Sequence, residues 1–241
     1  TFPGLSGVVS FSPNEKIIAT ANYDNGIVKL WKPDGTLIKT LDGHNEGSSS
    51  INFSPDGQML ATASYNGIVK LWKLDGTLVK NLNGGNKGVS SISFSSDGQM
   101  LATANYDGTV KLWQPNGTLF KTFIADNLAV NSISFSPDGR ILATAGSNGT
   151  ARLWTRNGSL LMEYDTSEQT VAQNEKVSDK NVVNNVSFSP DGQILAIAKN
   201  DGTVRLFDIN LDGLTKLGCN WIQDYLTTHP DKQRELAICQ N

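Results

Sequence analysis

The sequence predicts an all-β protein made of five tandem repeats, each of which folds into four short antiparallel strands. The first sign is an aromatic residue that ends a phrase such as the NYDGTVKLW of residues 105–113. It recurs every 41 residues, apart from a last step of 53, at Trp31, Trp72, Trp113, Trp154 and Phe207. A second aromatic, preceded by Ser or Asn and followed by Ser, keeps the same phase at Phe11, Phe53, Phe94, Phe135 and Phe188. A period near 40 residues without an uninterrupted helical pattern is typical of stacked β repeats.

The second repeat shows how each strand is predicted. The run SINF is followed by Ser54-Pro55-Asp56-Gly57, in which Pro presets one turn dihedral and Gly accepts the strained one. The run MLATAS leads to Asn66-Gly67, a strong signal for a two-residue hairpin. IVKLW and TLVKNL follow, separated by a turn that contains Asp75-Gly76. Because MLATA is apolar or small at every position, we expect both of its faces to be covered by neighbouring sheets.

Composition narrows the class of protein. Charged residues make up 18% of the 241 residues and the net charge is −3, so nothing favours a nucleic-acid partner. No apolar run is long enough to span a membrane, and no secretory leader is seen. Two cysteines, Cys219 and Cys239, are too few for a disulfide-built fold, and we expect reduced thiols and a cytoplasmic location.

The order of these runs resembles the WD40-repeat family, whose repeats form β-propeller blades. The motifs that carry the resemblance are FSPDG, LATA, DGTVKLW and the pair Gly43-His44, in units near 1–41, 42–82, 83–123, 124–164 and 165–217. The resemblance implies a propeller of five four-stranded antiparallel blades over residues 1–217. A larger ring, of which these are the last five blades, fits as well, and the non-initiator Thr1 favours it.

The resemblance also implies a hydrogen-bonded tetrad of His, Ser or Thr, Asp and Trp in each blade. The matching residues are Thr20, Asp24 and Trp31; His44, Thr62, Asn66 and Trp72; Thr103, Asp107 and Trp113; and Thr144, Asn148 and Trp154. The fifth unit has Ile197 in place of Thr. The family is named for a Trp-Asp dipeptide, but none of the four tryptophans that end a repeat is followed by Asp. Only the second blade, with Asn66 for Asp, has all four kinds of group.

Function is expected where the copies differ or where loops project. Tyr23, Tyr65 and Tyr106 each precede the turn Asp or Asn, whereas the fourth and fifth units have Ser147 and Asn200 there. We expect a one-sided aromatic patch on the rim, and such aromatics are typical anchors for a partner. The alternative is that each ring packs on the loop of the adjacent blade.

Other features have simpler explanations. Lys29, Lys70, Lys111, Arg152 and Arg205 form a basic series that we expect to lie along the blades with the charges at the edge. The segment 165–181 interrupts the repeat, and we expect it to be a loop insertion without a function of its own. Neither histidine belongs to a catalytic motif, and the PDG and DNG triplets lack the ligand series of a calcium loop. No enzymatic activity, cofactor or metal is therefore expected.

Residues 218–241 lose strand character, and the spacing of Trp221, Ile222, Tyr225 and Leu226 predicts a short helical tail. Its GCxWxxDYL pattern, residues 218–226, is similar to the ends of long cyanobacterial WD-repeat proteins. This resemblance implies the C-terminal recognition part of a larger bacterial signalling protein, acting as a non-catalytic platform for a protein or peptide. A multivalent carbohydrate-binding propeller remains the alternative, because Tyr, Asn and Asp recur on the rim.

Overall fold

The computed structural model describes residues 6–166 and 181–209, which form five antiparallel sheets. Each sheet is one blade. Blade 1 contains β1 (Gly7–Phe11), β2 (Ile18–Asn22), β3 (Val28–Trp31) and β4 (Leu37–Leu41). Blade 2 contains β5 (Ser48–Phe53), β6 (Met59–Ser64), β7 (Ile68–Lys73) and β8 (Leu78–Asn83). Blade 3 contains β9 (Val89–Phe94), β10 (Leu101–Asn105), β11 (Thr109–Trp113) and β12 (Leu119–Ile124). Blade 4 contains β13 (Val130–Phe135), β14 (Ile141–Gly146), β15 (Thr150–Thr155) and β16 (Leu160–Asp165). Blade 5 contains β17 (Val183–Phe188), β18 (Ile194–Lys199) and β19 (Val204–Asp208).

Every blade is a meander in which each strand pairs with the next one along the chain. The turn after the first strand is built by side chains as well as by Gly. In blade 2, Ser54 Oγ donates to Asp56 Oδ1 (2.5 Å) and accepts from the backbone N–H of Met59 (2.9 Å). Ser95, Ser136 and Ser189 repeat the bond to the Asp two residues later, at 2.5–2.6 Å. The sequence prediction of a turn at each of these sites is therefore confirmed.

The apolar core lies between blades rather than within them. Ala19, Ala21 and Leu30 of blade 1 pack against Phe53 and Trp72 of blade 2, and the same pattern recurs at the three later boundaries. The first strands β1, β5, β9, β13 and β17 pack in succession. Burial of the small-residue strand β6 on both faces follows from this stacking, since Leu60 faces blade 1 and Ala61 faces blade 3.

Hydroxyl and amide side chains connect the first strands of successive blades. Ser50 Oγ accepts from the N–H of Ile92 (3.2 Å), and Asn52 Oδ1 accepts from the N–H of Phe94 (3.3 Å). Asn131 Nδ2 donates to the carbonyl of Val183 at 2.8 Å. These first strands belong to different sheets and share no backbone ladder. The polar side chains supply hydrogen-bond partners to backbone amides and carbonyls that would otherwise lack them.

In the described part of the chain, blade 1 and blade 5 each have exposed apolar side chains on one face. Val9 and Phe11 of β1 are 59% and 62% exposed, although Ile51 and Phe53 at the equivalent positions of β5 are buried. On the other face of the array, Leu206 of β19 is 67% exposed, whereas the equivalent Leu71 is buried. Among the described residues, β17 does not share with β1 the extensive packing that joins the other first strands. The ring is therefore not closed by these residues.

Some predictions fall outside the described ranges. The fifth blade shows three strands, because the fourth, predicted at residues 214–217, lies beyond residue 209. The helical tail 218–241 and both cysteines lie there as well. Most of the predicted 165–181 loop is not described either, but Asp165 itself ends β16. The described residues contain no α-helix.

Candidate interaction surface

The rim that carries the β2–β3 type of hairpin is built in the same way in every blade. The residue at the tyrosine position donates its backbone N–H to a carbonyl just before the first strand of its own blade. The pairs are Tyr23 to Ser6, Tyr65 to Gly47, Tyr106 to Gly88, Ser147 to Ala129 and Asn200 to Val182, at 2.8–3.2 Å. These bonds hold the hairpin and the incoming loop together, so the five side chains occupy equivalent places on one rim.

Three of those places hold aromatic rings that lie close together, which we name the tyrosine row: Tyr23, Tyr65 and Tyr106. The rings of Tyr65 and Tyr106 stack, with centroids 6.2 Å apart and planes inclined by 24°. Tyr23 and Tyr65 are each 42% exposed, and Tyr106 is half-buried. Stacked aromatic rings that stay open to solvent provide a large, rigid contact area at low cost in side-chain entropy.

The hydroxyls of the tyrosine row influence one another. Burial raises the pKa of Tyr65, and the nearby Tyr23 adds to that rise. Burial also raises the pKa of Tyr106, with smaller contributions from Tyr65 and Tyr23. The hydroxyls of Tyr65 and Tyr106 therefore remain protonated at neutral pH and can donate hydrogen bonds to a partner.

The predicted tetrad is present only in part. Trp31, Trp72, Trp113 and Trp154 each donate Nε1–H to the Thr of the second strand of their blade, at 2.9, 3.0, 3.3 and 2.9 Å. In blade 2, His44 Nε2 is also hydrogen-bonded to Thr62 Oγ1 at 2.9 Å. The structure thus brings His, Thr and Trp together in that blade, deep in the sheet stack.

The turn residues of the predicted tetrads lie elsewhere. Asn66, Asp107 and Asn148 each accept from the backbone N–H two residues later, at 3.0–3.1 Å. Asp24 donates its own N–H to Asn22 Oδ1 at 2.7 Å. The Nδ1 atom of His44 is buried and has no hydrogen-bond partner among the described residues. Burial, with a smaller effect of Lys70, lowers the pKa of His44 to about 4, so this ring is neutral.

Blade 4 has a charged network at the place where blade 2 has its histidine. Asp126 occupies the position of His44, and its side chain is inaccessible. The Arg152 guanidinium donates to Asp126 Oδ2 (3.1 Å), to the carbonyl of Ala125 (2.7 Å) and to Glu163 Oε2 (2.5 Å). Burial raises the pKa of Asp126, and the Arg152 charge and hydrogen bonds oppose that rise.

This network corrects the expectation that the whole basic series points its charges to the edge of the blades. Arg152 has only 15% of its side chain exposed and pairs with a buried carboxylate. Lys29, Lys70 and Lys111 place Nζ 5.6, 5.4 and 6.0 Å from the centroid of the tryptophan two residues later. The physical reason is that the sheet offers carboxylate, carbonyl and aromatic partners within reach of these long side chains. Four members of the basic series therefore make contacts within the blades.

Residues 7–208 match the family described as the IFT122 first beta-propeller. The chain belongs to this β-propeller family. The repeated antiparallel sheets of the described ranges agree with this assignment to a β-propeller family.

Shorter matches connect this propeller with WD-repeat proteins. The mouse U4/U6 small nuclear ribonucleoprotein Prp4 is 50% identical over 46 residues, which are 19% of this chain and 9% of that protein. A WD repeat-containing protein of Synechocystis sp. is 50% identical over 40 residues, 17% of this chain and 2% of that protein. The nuclear distribution protein PAC1 of Tuber melanosporum is 38% identical over 64 residues, 27% of this chain and 14% of that protein. The chain thus matches only a small part of each of these relatives.

No group of three or more His, Cys, Asp or Glu side chains is arranged to hold a metal ion in residues 6–166 and 181–209. No helix in that part of the chain has the length and apolar character needed to cross a membrane.

Proposed function

We propose that this propeller is a non-catalytic platform that binds a protein or peptide partner through the tyrosine row. The observation that carries the proposal is the stacked, partly exposed pair Tyr65 and Tyr106, with Tyr23 beside it. The five rim positions have equivalent backbone geometry, and only three carry an aromatic ring. The fold does not need a tyrosine at this position, since Ser147 and Asn200 serve it equally well.

The WD-repeat relatives support an interaction role, and one of them is named as a component of a particle, the U4/U6 small nuclear ribonucleoprotein. We also propose that this propeller is the recognition part of a larger bacterial signalling protein, located in the cytoplasm. The Synechocystis relative, of which the chain matches 2%, is in favour of a bacterial context. The complete reading frame tests this part directly.

The tyrosine row is tested with four variants of the full chain. Tyr65→Ala and Tyr106→Ala each remove one of the stacked rings, and Leu37→Ala is the matched control because Leu37 is also exposed but lies on β4, away from the row. We expect a partner captured by the wild type to be lost from both tyrosine variants and kept by the control. Tyr65→Phe separates the ring from the hydroxyl.

A carbohydrate-binding propeller gives a different result in the same series. That function requires several equivalent sites, so a glycan array would show binding with more than one sugar per chain, and single tyrosine variants would lose only a fraction of it. Unchanged capture of the protein partner by Tyr65→Ala and Tyr106→Ala would refute the proposed function.

A further inference from the structure

A groove of about 440 Å³ lies between blades 3 and 4, on the side of the turns that follow the first and third strands of each blade. It is lined by Met100, Phe120, Arg140, Thr155, Arg156 and Asn157. Phe120 is 52% exposed, and Met100 beneath it is buried. None of these residues belongs to the tyrosine row, so the groove is a separate surface.

A bulge in the sheet places Phe120 in the groove. On β12, Lys121 pairs with Leu112 and Leu119 pairs with Trp113, so Phe120 between them has no partner on β11. Bulges of this kind redirect a side chain away from the regular alternation of a strand. The same shift occurs in blades 1, 2 and 4, where the extra residue is Ile38, Val79 or Leu161.

The other blade boundaries are natural controls, because they have the same backbone but different side chains. At the boundary of blades 2 and 3, the residues equivalent to Phe120, Arg140 and Arg156 are Val79, Gln99 and Pro115. At the boundary of blades 1 and 2 they are Ile38, Gln58 and Leu74. At the boundary of blades 4 and 5 they are Leu161, Gln193 and Ile209. An aromatic ring with two arginines therefore occurs at one boundary of the described array, at positions where the fold accepts neutral side chains.

The groove is locally basic, whereas the chain as a whole has a negative net charge. Arg156 forms a two-bonded ion pair with Asp97, at 2.5 and 3.2 Å, and holds the pKa of that carboxyl at about 2. Arg140 has 84% of its side chain exposed, and its nearest acid, Asp138, is 4.0 Å away. Lys121 reaches the carbonyl of Asn157 at 2.8 Å. The three cations outnumber the two acids locally, although the net charge of the chain is −3.

We propose that this groove binds an acidic linear peptide, which places one apolar side chain on Phe120 and Met100 and a carboxylate between Arg140 and Arg156. A volume of about 440 Å³ accommodates such a side chain, and guanidinium groups are the preferred partners of carboxylates. Arg140 supplies the charge that is available for the ligand, because the Arg156 charge is shared with Asp97.

The test uses the full chain and a random-peptide phage library. The control protein carries Phe120→Ile, Arg140→Gln and Arg156→Leu, which are the residues of the blade 1–2 boundary. Leucine keeps the backbone N–H that residue 156 donates to the carbonyl of Arg140 at 3.0 Å. Peptides that bind the wild type but not the control are expected to contain Asp or Glu beside an apolar residue. Arg140→Gln alone is expected to weaken them about tenfold, and Tyr65→Ala is expected to leave them unchanged.

A gain of binding provides the second test. Val79→Phe, Gln99→Arg and Pro115→Arg transfer the groove to the blade 2–3 boundary, where Asp56 stands in the place of Asp97. Calorimetry with a selected peptide should then show two sites per chain instead of one. The proposal is overturned if no peptide distinguishes wild type from control, if the selected peptides are basic, or if they are lost on Tyr65→Ala. Single-stranded DNA that competes with the peptides and binds more tightly would also overturn it in favour of a nucleic acid.

Discussion

Removal of the Thr62 hydroxyl is the sharpest test of the partial tetrad. The Oγ1 atom of Thr62 is hydrogen-bonded to Trp72 Nε1 at 3.0 Å and to His44 Nε2 at 2.9 Å, and all three residues are buried. Thr62→Val leaves both nitrogen atoms without that partner while the side-chain shape is retained. A buried polar group without a partner costs about 1–3 kcal/mol, so the expected loss of stability is about 2–6 kcal/mol.

Thr144→Val is the matched control. Its hydroxyl accepts from Trp154 Nε1 at 2.9 Å, but the place of the histidine is held by Asp126, which has partners of its own. One group is left without a partner, so the expected loss is about 1–3 kcal/mol. Both variants are compared with wild type by urea unfolding followed by circular dichroism. Equal losses would refute the reasoning, because they would show that the His44 contact adds nothing to the Trp–Thr bond.

Two further predictions concern His44 and a hairpin glycine. Since burial lowers the pKa of His44 from 6.5 to about 4, the unfolded chain binds a proton between these values that the folded chain does not. The free energy of unfolding is therefore unaffected by this histidine above pH 6.5. It decreases as the pH falls toward 4, by up to about 3 kcal/mol. Urea unfolding at several pH values should show a shallower acid loss in His44→Gln, and an unchanged slope would contradict this assignment. Gly67→Ala should lose well over about 1 kcal/mol in thermal unfolding, because its φ is +85° and a Cβ would lie 1.7 Å from the carbonyl oxygen of Gly85. Gly35→Ala has φ +90° but no atom within 4 Å of the new Cβ, so it should lose only the cost of backbone strain, and equal losses would exclude the steric clash.

Much of the fold could be predicted because its signals are local. The Ser-x-Asp-Gly and Asn-Gly turns satisfy their own hydrogen bonds within five residues, as at Ser54 and Asn66, so the sequence alone specifies them. The exposure of Phe11 could not be predicted in this way. Phe11 and Phe53 have nearly the same sequence context, and they differ only in whether another blade covers them.

The network of blade 4 was missed for a different reason. Arg152 stands where other repeats have Lys, and the change looks conservative in a row of basic residues. The planar guanidinium makes several directed bonds that an ammonium group cannot make. The sequence signal that could have revealed it is Asp126 at the position of His44. Asp126 and Arg152 both depart from the repeat, and both belong to the fourth unit. The groove at Phe120 has the same signature, because it also consists of residues that depart from the repeat.

The stacking of the blades determines how cooperatively the molecule unfolds. In the described array each blade contacts its sequence neighbours, so the free energy of the whole approximates a sum of blade terms and nearest-neighbour interface terms. Within residues 6–166 and 181–209, blades 2, 3 and 4 each have two interfaces, whereas blades 1 and 5 have one. Amide hydrogen exchange is then fastest in β1 and β19 and slowest in β10, because opening begins at the ends and the middle blade is released last.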